Sequence, residues 1–405
     1  MGESVGEGAS ALRPTWIEID LGALARNYRQ VRDLVAPRRV WCVVKADAYG
    51  HGAAEVSRRL QAEGAGSFAV ATVDEGLRLR EAGISGRILV MAGIDPVEAP
   101  EAVAAARAAV GHGFEVAVWR LEAAEMLGVV SLEAGTEPAP VHMKVDTGMG
   151  RLGMEVGDSV DAAVDLAAGI AALNGVRLEG VFSNLAAADA PAGERGHEHT
   201  SVQIERFARL CDGLDERGLL PPERHLGNSA AVLLHPTSWD STRSTGVRPG
   251  LLIYGVPPVE RGATIPLDPV MSWHSVVASV RRVPAGWPLG YGALRNAASD
   301  RTIAVVPVGY HDGFARALSD RAEVLVGGRR AQVVGAISMD LTLVDITGAP
   351  GVSAGDPVVL LGVGGAAGGS SIAAREMADR AGSIAHEILC RVGARVPHRY
   401  VDTPR

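Results

Sequence analysis

The sequence has little of what nucleic-acid, membrane or metal chemistry needs. Acidic residues outnumber basic ones by 47 to 39, which gives a formal net charge of -8. That balance excludes the clustered basic surface that nucleic acids and anionic membranes require. No apolar run is long enough to cross a bilayer. We therefore expect a small-molecule substrate, with no nucleic acid and no membrane as partners.

Cysteine is also scarce. Cys42, Cys211 and Cys390 are far apart and form no CxxC pair, so neither a disulfide framework nor a metal site is predicted. A reducing, cytoplasmic location fits this usage best. Residues 1–13 lack the basic start and apolar segment of a secretion signal, and we expect them to form a flexible leader.

Lysine is the most informative scarcity. It occurs only at Lys45 and Lys144, so that of the 39 basic residues 39 − 2 = 37 are arginine. A high-GC genome would favour arginine without any functional reason. Arginine, however, forms no Schiff base and practically never loses its proton. The two positions that stayed lysine are therefore candidates for chemistry.

The 405 residues suit a barrel of about 250 residues plus a smaller domain. From about residue 38 to 250, strand-like runs alternate with helical stretches, which predicts a (β/α)₈ TIM-type barrel over residues 14–255. The first strand of this range can instead pack with the C-terminal domain that follows the barrel. Residues 256–405 are rich in strand patterns and end in two helical patches, which predicts a mainly β C-terminal domain. The eight barrel strands are predicted at RVWCVV, SFAVAT, RILVM, FEVAV, PVHMKV, LEGVFS, RHLG and STGVR.

Two local patterns add detail. WCVVKADAYGHG places Lys45 where the first buried strand ends, which is the face where barrel enzymes hold their active sites. The alternative is a surface lysine at a strand end, and the apolar run leading into it disfavours that. His197 and His199 in RGHEHTS are predicted to lie in a polar loop.

Eight longer motifs occur along the chain in this order: PTWIEIDLGAL, VVKADAYGHG, VHMKVDTGMGRLGM, GNSAA, VRPGLLIYG, GYGA, VGYHDG and SMD. In these motifs and in their order the chain resembles the alanine racemases, which use pyridoxal phosphate and belong to fold type III. The resemblance covers roughly residues 14–400.

The resemblance implies a two-base racemase. Lys45 would hold the cofactor and act as one base at the substrate α-carbon. Tyr291 would be the second base, reaching the opposite face from a partner subunit. Arg248 would face the cofactor's ring nitrogen, and His225 would buttress Arg248.

The remaining cofactor positions follow from the same motifs. The phosphate would be held by Tyr49, Ser229 and backbone amides near Gly250 and Leu251, with Asn228 and Tyr254 also in the cofactor-binding set. Such loops after the last two strands often bind phosphate in barrels.

Arg151 would contact the cofactor and the substrate carboxylate. Lys144 matches a lysine that is carbamylated in some members, and an ion-paired structural lysine is the equal alternative. Tyr310 and Met339 would line the substrate entry from the partner subunit. The smallest functional unit would then be a homodimer with shared active sites.

Departures from the family leave other functions open. Asn184 stands where the family usually has a histidine that hydrogen-bonds the catalytic tyrosine, and His311 stands where alanine is usual. Racemisation of alanine for D-alanine biosynthesis is the leading hypothesis. One alternative is a repurposed relative in a biosynthetic pathway, which would be a racemase for another amino acid, an aldolase or a decarboxylase. Arg248 disfavours a decarboxylase, because the decarboxylases that share this barrel place a carboxylate against the ring nitrogen. A non-catalytic protein that binds the cofactor is the other.

Overall fold

The computed structural model describes residues 13–240, 243–258, 265–364 and 369–404. The predicted leader, apart from Arg13, lies outside these residues. The chain divides into two compact units. The barrel unit comprises Ala25–Ala48 and Ala53–Leu267, and the sheet unit comprises the described parts of Met1–Leu24, Tyr49–Gly52 and Asp268–Arg405.

The barrel unit contains nine parallel strand segments in a ring, and two of these are halves of one strand interrupted at Trp41. The predicted eight-stranded barrel is therefore confirmed. Strand β1 precedes the ring in the chain and belongs to the sheet unit, and β8 pairs with β7 outside the ring. The bounds are β1 (Trp16–Asp20), β2 (Arg39–Val40), β3 (Cys42–Val43), β4 (Ser67–Val70), β5 (Arg87–Val90), β6 (Glu115–Val118), β7 (Ala139–Asp146), β8 (Met154–Glu155), β9 (Val176–Phe182), β10 (Glu223–His225) and β11 (Gly246–Val247).

Burial explains why these strands could be predicted from the sequence. Every residue of β4 and of β6 is buried, as expected in a barrel whose strands face the packed interior on one side and the surrounding helices on the other. Such strands appear in the sequence as short continuous apolar runs rather than as alternating patterns.

Helices separate the barrel strands. None of the helices in the described ranges combines the length and hydropathy that a bilayer crossing requires. The polar-loop prediction for His197 and His199 is wrong, because α8 begins six residues before the apolar periodicity that marked its start. The bounds are α1 (Leu21–Val35), α2 (Lys45–Gly50), α3 (Ala53–Ala62), α4 (Val73–Glu81), α5 (Ala102–Gly111), α6 (Leu121–Ala134), α7 (Asp161–Ala172), α8 (Arg195–Glu216) and α9 (Ser229–Leu234).

The sheet unit is mainly antiparallel. Its sheet has the strand order β13-β16-β19-β18-β17-β20-β12-β1-β22, with β21 paired to β20, and β14 and β15 form a separate hairpin. The mainly β C-terminal domain is thus confirmed. The bounds are β12 (Met271–Val276), β13 (Ser279–Val283), β14 (Pro288–Leu289), β15 (Arg295–Asn296), β16 (Arg301–Val306), β17 (Glu323–Val326), β18 (Arg329–Val333), β19 (Thr342–Asp345), β20 (Pro357–Val363), β21 (Ser371–Ile372) and β22 (His398–Val401), with helices α10 (Ala374–Ala381) and α11 (Ala385–Cys390).

The strand-like run SWHSVVASVRRV, residues 272–283, forms two strands rather than one. Val277 donates its backbone N–H to the Asp356 carbonyl, whereas Ala278 donates to the carbonyl of Val305. The chain therefore changes neighbours at this point, so that β12 pairs with β20 and β13 with β16. An uninterrupted β-branched pattern carries no signal of such a change.

Candidate active site

Lys45 lies two residues after the end of β3, at the carboxyl end of the barrel, and is half-buried. The turn that it begins is left-handed. Ala46, Asp47 and Ala48 have φ of 53°, and Tyr49 has φ of 55°. The left-handed conformation costs L-residues roughly 1–2 kcal/mol each. Strained backbone of this kind is concentrated at functional sites.

Two carboxylates hold this left-handed turn. Glu75, in the first turn of α4, accepts the backbone N–H of Ala46 at 2.7 Å through Oε1 and that of Ala71 at 2.7 Å through Oε2. Asp47 accepts the N–H of Ala53 at 2.7 Å. These hydrogen bonds to charged acceptors offset part of the strain and fix the backbone just after Lys45.

Lys144 lies on β7 and is buried. Its Nζ donates to the Met91 carbonyl at 3.4 Å. Burial, together with the positive charges of Arg151, Arg248 and Lys45, lowers the pKa of Lys144 to about 8. Three of the predicted cations therefore lie within electrostatic range of Lys144, and the region around Lys144 attracts anions.

The loop after β7 presents Arg151. The Asp146 carboxylate accepts the backbone N–H groups of Gly148, Met149 and Arg151 at 2.6–2.8 Å. The guanidinium of Arg151 makes no hydrogen bond within the described part of the chain. A fixed loop with an unengaged guanidinium suits the binding of a carboxylate or a phenolate.

Arg248 follows β11 and is buried. Nη1 donates to His225 Nδ1 at 2.7 Å and to the His225 carbonyl at 2.6 Å, and Nη2 donates to the carbonyls of Ser183 and Leu226. Among the described residues Nε–H has no acceptor. Burial and Arg151 lower the pKa of Arg248 to about 9, which leaves the guanidinium charged at neutral pH.

The loop after β11 meets the start of α9. The Asn228 side chain caps α9 by accepting the N–H of Ala231 at 3.0 Å. Ser229 Oγ accepts the N–H of Gly250 at 2.9 Å. Within the described ranges, the hydroxyl proton of Ser229 and the backbone N–H of Leu251 have no acceptor. Free donors at this point suit an anion such as a phosphate.

Tyr254 takes part in holding the Lys45 strand. Its hydroxyl donates to the Val43 carbonyl at 2.9 Å, two residues before Lys45. The side chain is fully buried. This hydrogen bond ties the chain after β11 to the first barrel strand.

Other predicted residues belong to the sheet unit. Tyr49 is buried there with its ring centroid 5.5 Å from that of His386, and burial raises the pKa of its phenol. Tyr291 is 72% exposed, Met339 51% and Tyr310 40%. The backbone N–H of Tyr310 donates to the Ser338 carbonyl at 3.0 Å, which brings the loops of Tyr310 and Met339 together.

Asn184 lies just beyond β9 in the barrel unit. Its backbone carbonyl accepts the side-chain amide of Gln203 at 2.9 Å. Its own amide group makes no hydrogen bond to the residues that the structure describes. The side chain is thus not committed to a structural contact.

Sequence reasoning missed Glu115 and His142. His142 Nε2 is 2.6 Å from a Glu115 carboxylate oxygen, and His142 Nδ1 is 3.0 Å from His225 Nε2. His142 stands two residues before Lys144, and alternate residues of a strand share a face. A histidine inside an apolar strand was therefore the available signal.

Two family models match the chain. The model described as alanine racemase, N-terminal domain, covers residues 19–258. The model described as alanine racemase, C-terminal domain, covers residues 270–400. Together they account for both units.

Individual relatives agree. The chain is 38% identical over 391 residues to the alanine racemase of Symbiobacterium thermophilum, covering 96% of this chain and 97% of the relative. A solved alanine racemase from the D-cycloserine producer Streptomyces lavendulae is similar with a TM-score of 0.87 and 33% identity, over 98% of this chain and 99% of that one. The alanine racemase of Bartonella henselae was solved with covalently bound pyridoxal phosphate. It is similar to this chain with a TM-score of 0.81 and 26% identity, over 96% of this chain and 99% of that one. The likeness extends over nearly the full length of each.

Proposed function

Since the chain belongs to the alanine racemase family, we propose that it interconverts L- and D-alanine with pyridoxal phosphate as its cofactor. The observation that carries this proposal is the position of Lys45, which a strained turn holds at the carboxyl end of the barrel within electrostatic range of Lys144, the residue that Arg151 and Arg248 also reach. A lysine among fixed cations suits an anionic cofactor and a substrate carboxylate.

The donors of the barrel unit fit this cofactor. The hydroxyl of Ser229 and the backbone N–H of Leu251 would hold its phosphate. Arg248 has four guanidinium protons engaged by the protein, and its remaining Nε–H would donate to the ring nitrogen. When bound, pyridoxal phosphate withdraws electrons from the α-carbon of an amino acid, so that the α-proton becomes removable near neutral pH.

Two bases would move the proton. Lys45 Nζ takes it from one face of the α-carbon of bound alanine, and the Tyr291 hydroxyl delivers a proton to the other face. In the reverse direction the roles exchange. Arg248 keeps its protons at neutral pH, so it would leave a ring nitrogen that faces it unprotonated, and the cofactor would then withdraw electrons less strongly than one paired with a carboxylic acid.

A homodimer in the cytoplasm, making D-alanine, is the proposed setting. Tyr291, Tyr310 and Met339 are large and exposed, and a second copy of the chain would use them to complete the active site. Cys42 and Cys211 are buried free thiols, which suits a reducing compartment.

The test is α-proton exchange in deuterated water. Purified protein with bound cofactor is expected to exchange the α-proton of either enantiomer of alanine and to invert its chirality, as followed by NMR and chiral chromatography. Serine serves as the matched substrate control. Retention of the cofactor without exchange of any small amino acid would contradict the proposal and favour a binding protein.

Lys144 is proposed to carry a carbamate. Its lowered pKa leaves more neutral amine than an ordinary lysine has. The neutral Nζ adds carbon dioxide by forming an N–C bond and releases one of its protons to water. The resulting negative charge would offset the surrounding cations. With ¹³C-bicarbonate we expect a carbamate signal by ¹³C NMR that grows as the pH rises through about 8, because the amine must first lose its proton.

The two-lysine composition provides the control for this prediction. Lys144→Arg should remove the carbamate signal, and Lys45→Arg should leave it in place. A spectrum in which wild-type protein and Lys144→Arg are identical would mean that Lys144 is an ordinary charged lysine.

A further inference from the structure

A chain of polar side chains crosses the interior of the barrel. Glu115, the first residue of β6, bonds to His142, His142 bonds to His225, and His225 bonds to Arg248 beyond the end of β11, at 2.6, 3.0 and 2.7 Å. All four side chains are at least 95% buried. Barrel interiors are normally filled by apolar side chains. A buried polar chain in which every member is bonded rigidifies its surroundings and specifies one arrangement.

Arginine at one end of this chain requires one particular order of protons along it. A guanidinium can only donate hydrogen bonds, so His225 Nδ1 must accept from Arg248. The single proton of neutral His225 is then on Nε2, and His142 Nδ1 must accept it. His142 in turn carries its proton on Nε2 and donates to Glu115. Burial, followed by the nearby charge of Arg248, lowers the pKa of His225, in agreement with a neutral ring.

The backbone is shaped around His142. The β7–β9 pairing shifts register between Val141 and His142, so that His142 stands opposite Gly180. A methyl group at Gly180 would lie 2.3 Å from His142 Nδ1. An irregularity of this kind re-aims a side chain, and here it makes room for the imidazole on the side that faces His225.

Arg87 anchors the far end of the chain. It is bonded to both carboxylate oxygens of Glu115 and, at 2.6 Å, to Glu223. Burial would raise the pKa of Glu115, but the hydrogen bonds from His142 and Arg87 outweigh burial and lower it. Glu115 is therefore a carboxylate that only accepts hydrogen bonds, which is the state that the proton order requires.

We propose that Glu115 and His142 are positioning residues for Arg248: together they hold His225 in the one tautomer whose Nδ1 lone pair can accept from the guanidinium. If His225 carried its proton on Nδ1 instead, this N–H and an N–H of Arg248 Nη1 would face each other with their nitrogens 2.7 Å apart. The repulsion would push Arg248 from the position in which its Nε–H has no acceptor among the described residues. The effect on catalysis rests on the proposed function. The proton order does not.

Wild-type protein provides the first test. Full-length, cofactor-loaded protein labelled with ¹⁵N-histidine is examined by long-range ¹H–¹⁵N correlation, which distinguishes the two neutral tautomers and the charged ring. His142→Gln and His225→Gln assign the two signals among the 11 histidines. Both rings are expected to be neutral with the proton on Nε2. A proton on Nδ1 of His225, or a charged His225, overturns the proposal.

A matched pair of variants provides the second test. Glu115→Leu and Glu223→Leu each remove one buried carboxylate from Arg87, yet only Glu115 touches His142. Glu115→Leu should mix the tautomers of both histidines, shift the absorbance band of the bound cofactor and lower kcat/KM for alanine by about 10- to 100-fold, as for other groups that orient a ligating side chain. Glu223→Leu should leave the tautomers and the absorbance band unchanged.

The possible outcomes separate the two proposals. An unchanged His225 signal in folded Glu115→Leu, or the same change in both variants, would show that the chain has only a structural role. Protein with the expected tautomers that fails to racemise alanine would overturn the proposed function and still support the proton order.

Discussion

Replacing Lys45 with alanine should abolish turnover of alanine, with a fall in kcat of at least about 10⁴-fold, which is the upper range for one proton-transferring side chain. The expected loss is large because Lys45 has two proposed roles, which are to hold the cofactor and to move a proton. The absorbance band of the bound cofactor should disappear as well. Arginine at this position should be no better than alanine, since it can neither form the covalent bond nor give up its proton.

The second lysine, Lys144, provides the control for this prediction. Lys144→Arg cannot carry the proposed carbamate, but it leaves Lys45 in place and should therefore retain the cofactor. Borohydride reduction of the loaded protein should fix the cofactor to a single lysine, and mass spectrometry should find it on residue 45. Cofactor fixed to Lys144, or turnover within tenfold of wild type in Lys45→Ala, would contradict the assignment.

The fold could be predicted because parallel barrel strands are buried on both faces. SFAV and RILV are apolar runs bounded by helical patterns, and that contrast is visible without a structure. Boundaries decided by tertiary contacts were not visible. The segment containing His197 and His199 is helical although its sequence is polar, and the strand break at Val277 depends on which distant strand each backbone group meets.

The site was predictable where composition singled out a residue. Lys45 and Lys144 stand out because almost all other basic residues are arginine. The left-handed turn after Lys45 was not predictable, since alanine and tyrosine do not favour positive φ. The hydrogen bonds of Glu115 and His142 were equally hidden, because a chain of contacts that joins β6, β7, β10 and the residue after β11 depends on barrel closure and on the register shift at His142.

Replacing Tyr291 with phenylalanine should lower kcat by about 10²- to 10⁴-fold, the usual contribution of one general acid or base. The side chain is 72% exposed, so loss of its hydroxyl should not affect folding. The loss of α-proton exchange should affect one enantiomer only, because Lys45 would still exchange the proton on its own face of the α-carbon. In deuterated water, one enantiomer of alanine should continue to exchange its α-proton without inversion, while exchange of the other stops. Equal loss for both enantiomers would mean that Tyr291 is not the second base.

The proposed contact between Asn184 and the second base leads to one more prediction. Asparagine forms hydrogen bonds but cannot become cationic, whereas a histidine at this position could favour the tyrosinate. If position 184 faces Tyr291, as the family resemblance implies, Asn184→His should raise kcat in the wild-type background and have no effect beside Tyr291→Phe. The coupling is measured by a double-mutant cycle, with Asn184→Gln as the neutral control. An equal effect of the histidine in both backgrounds would show that Asn184 acts on something other than Tyr291, and that the tyrosine works without a charged neighbour at this position.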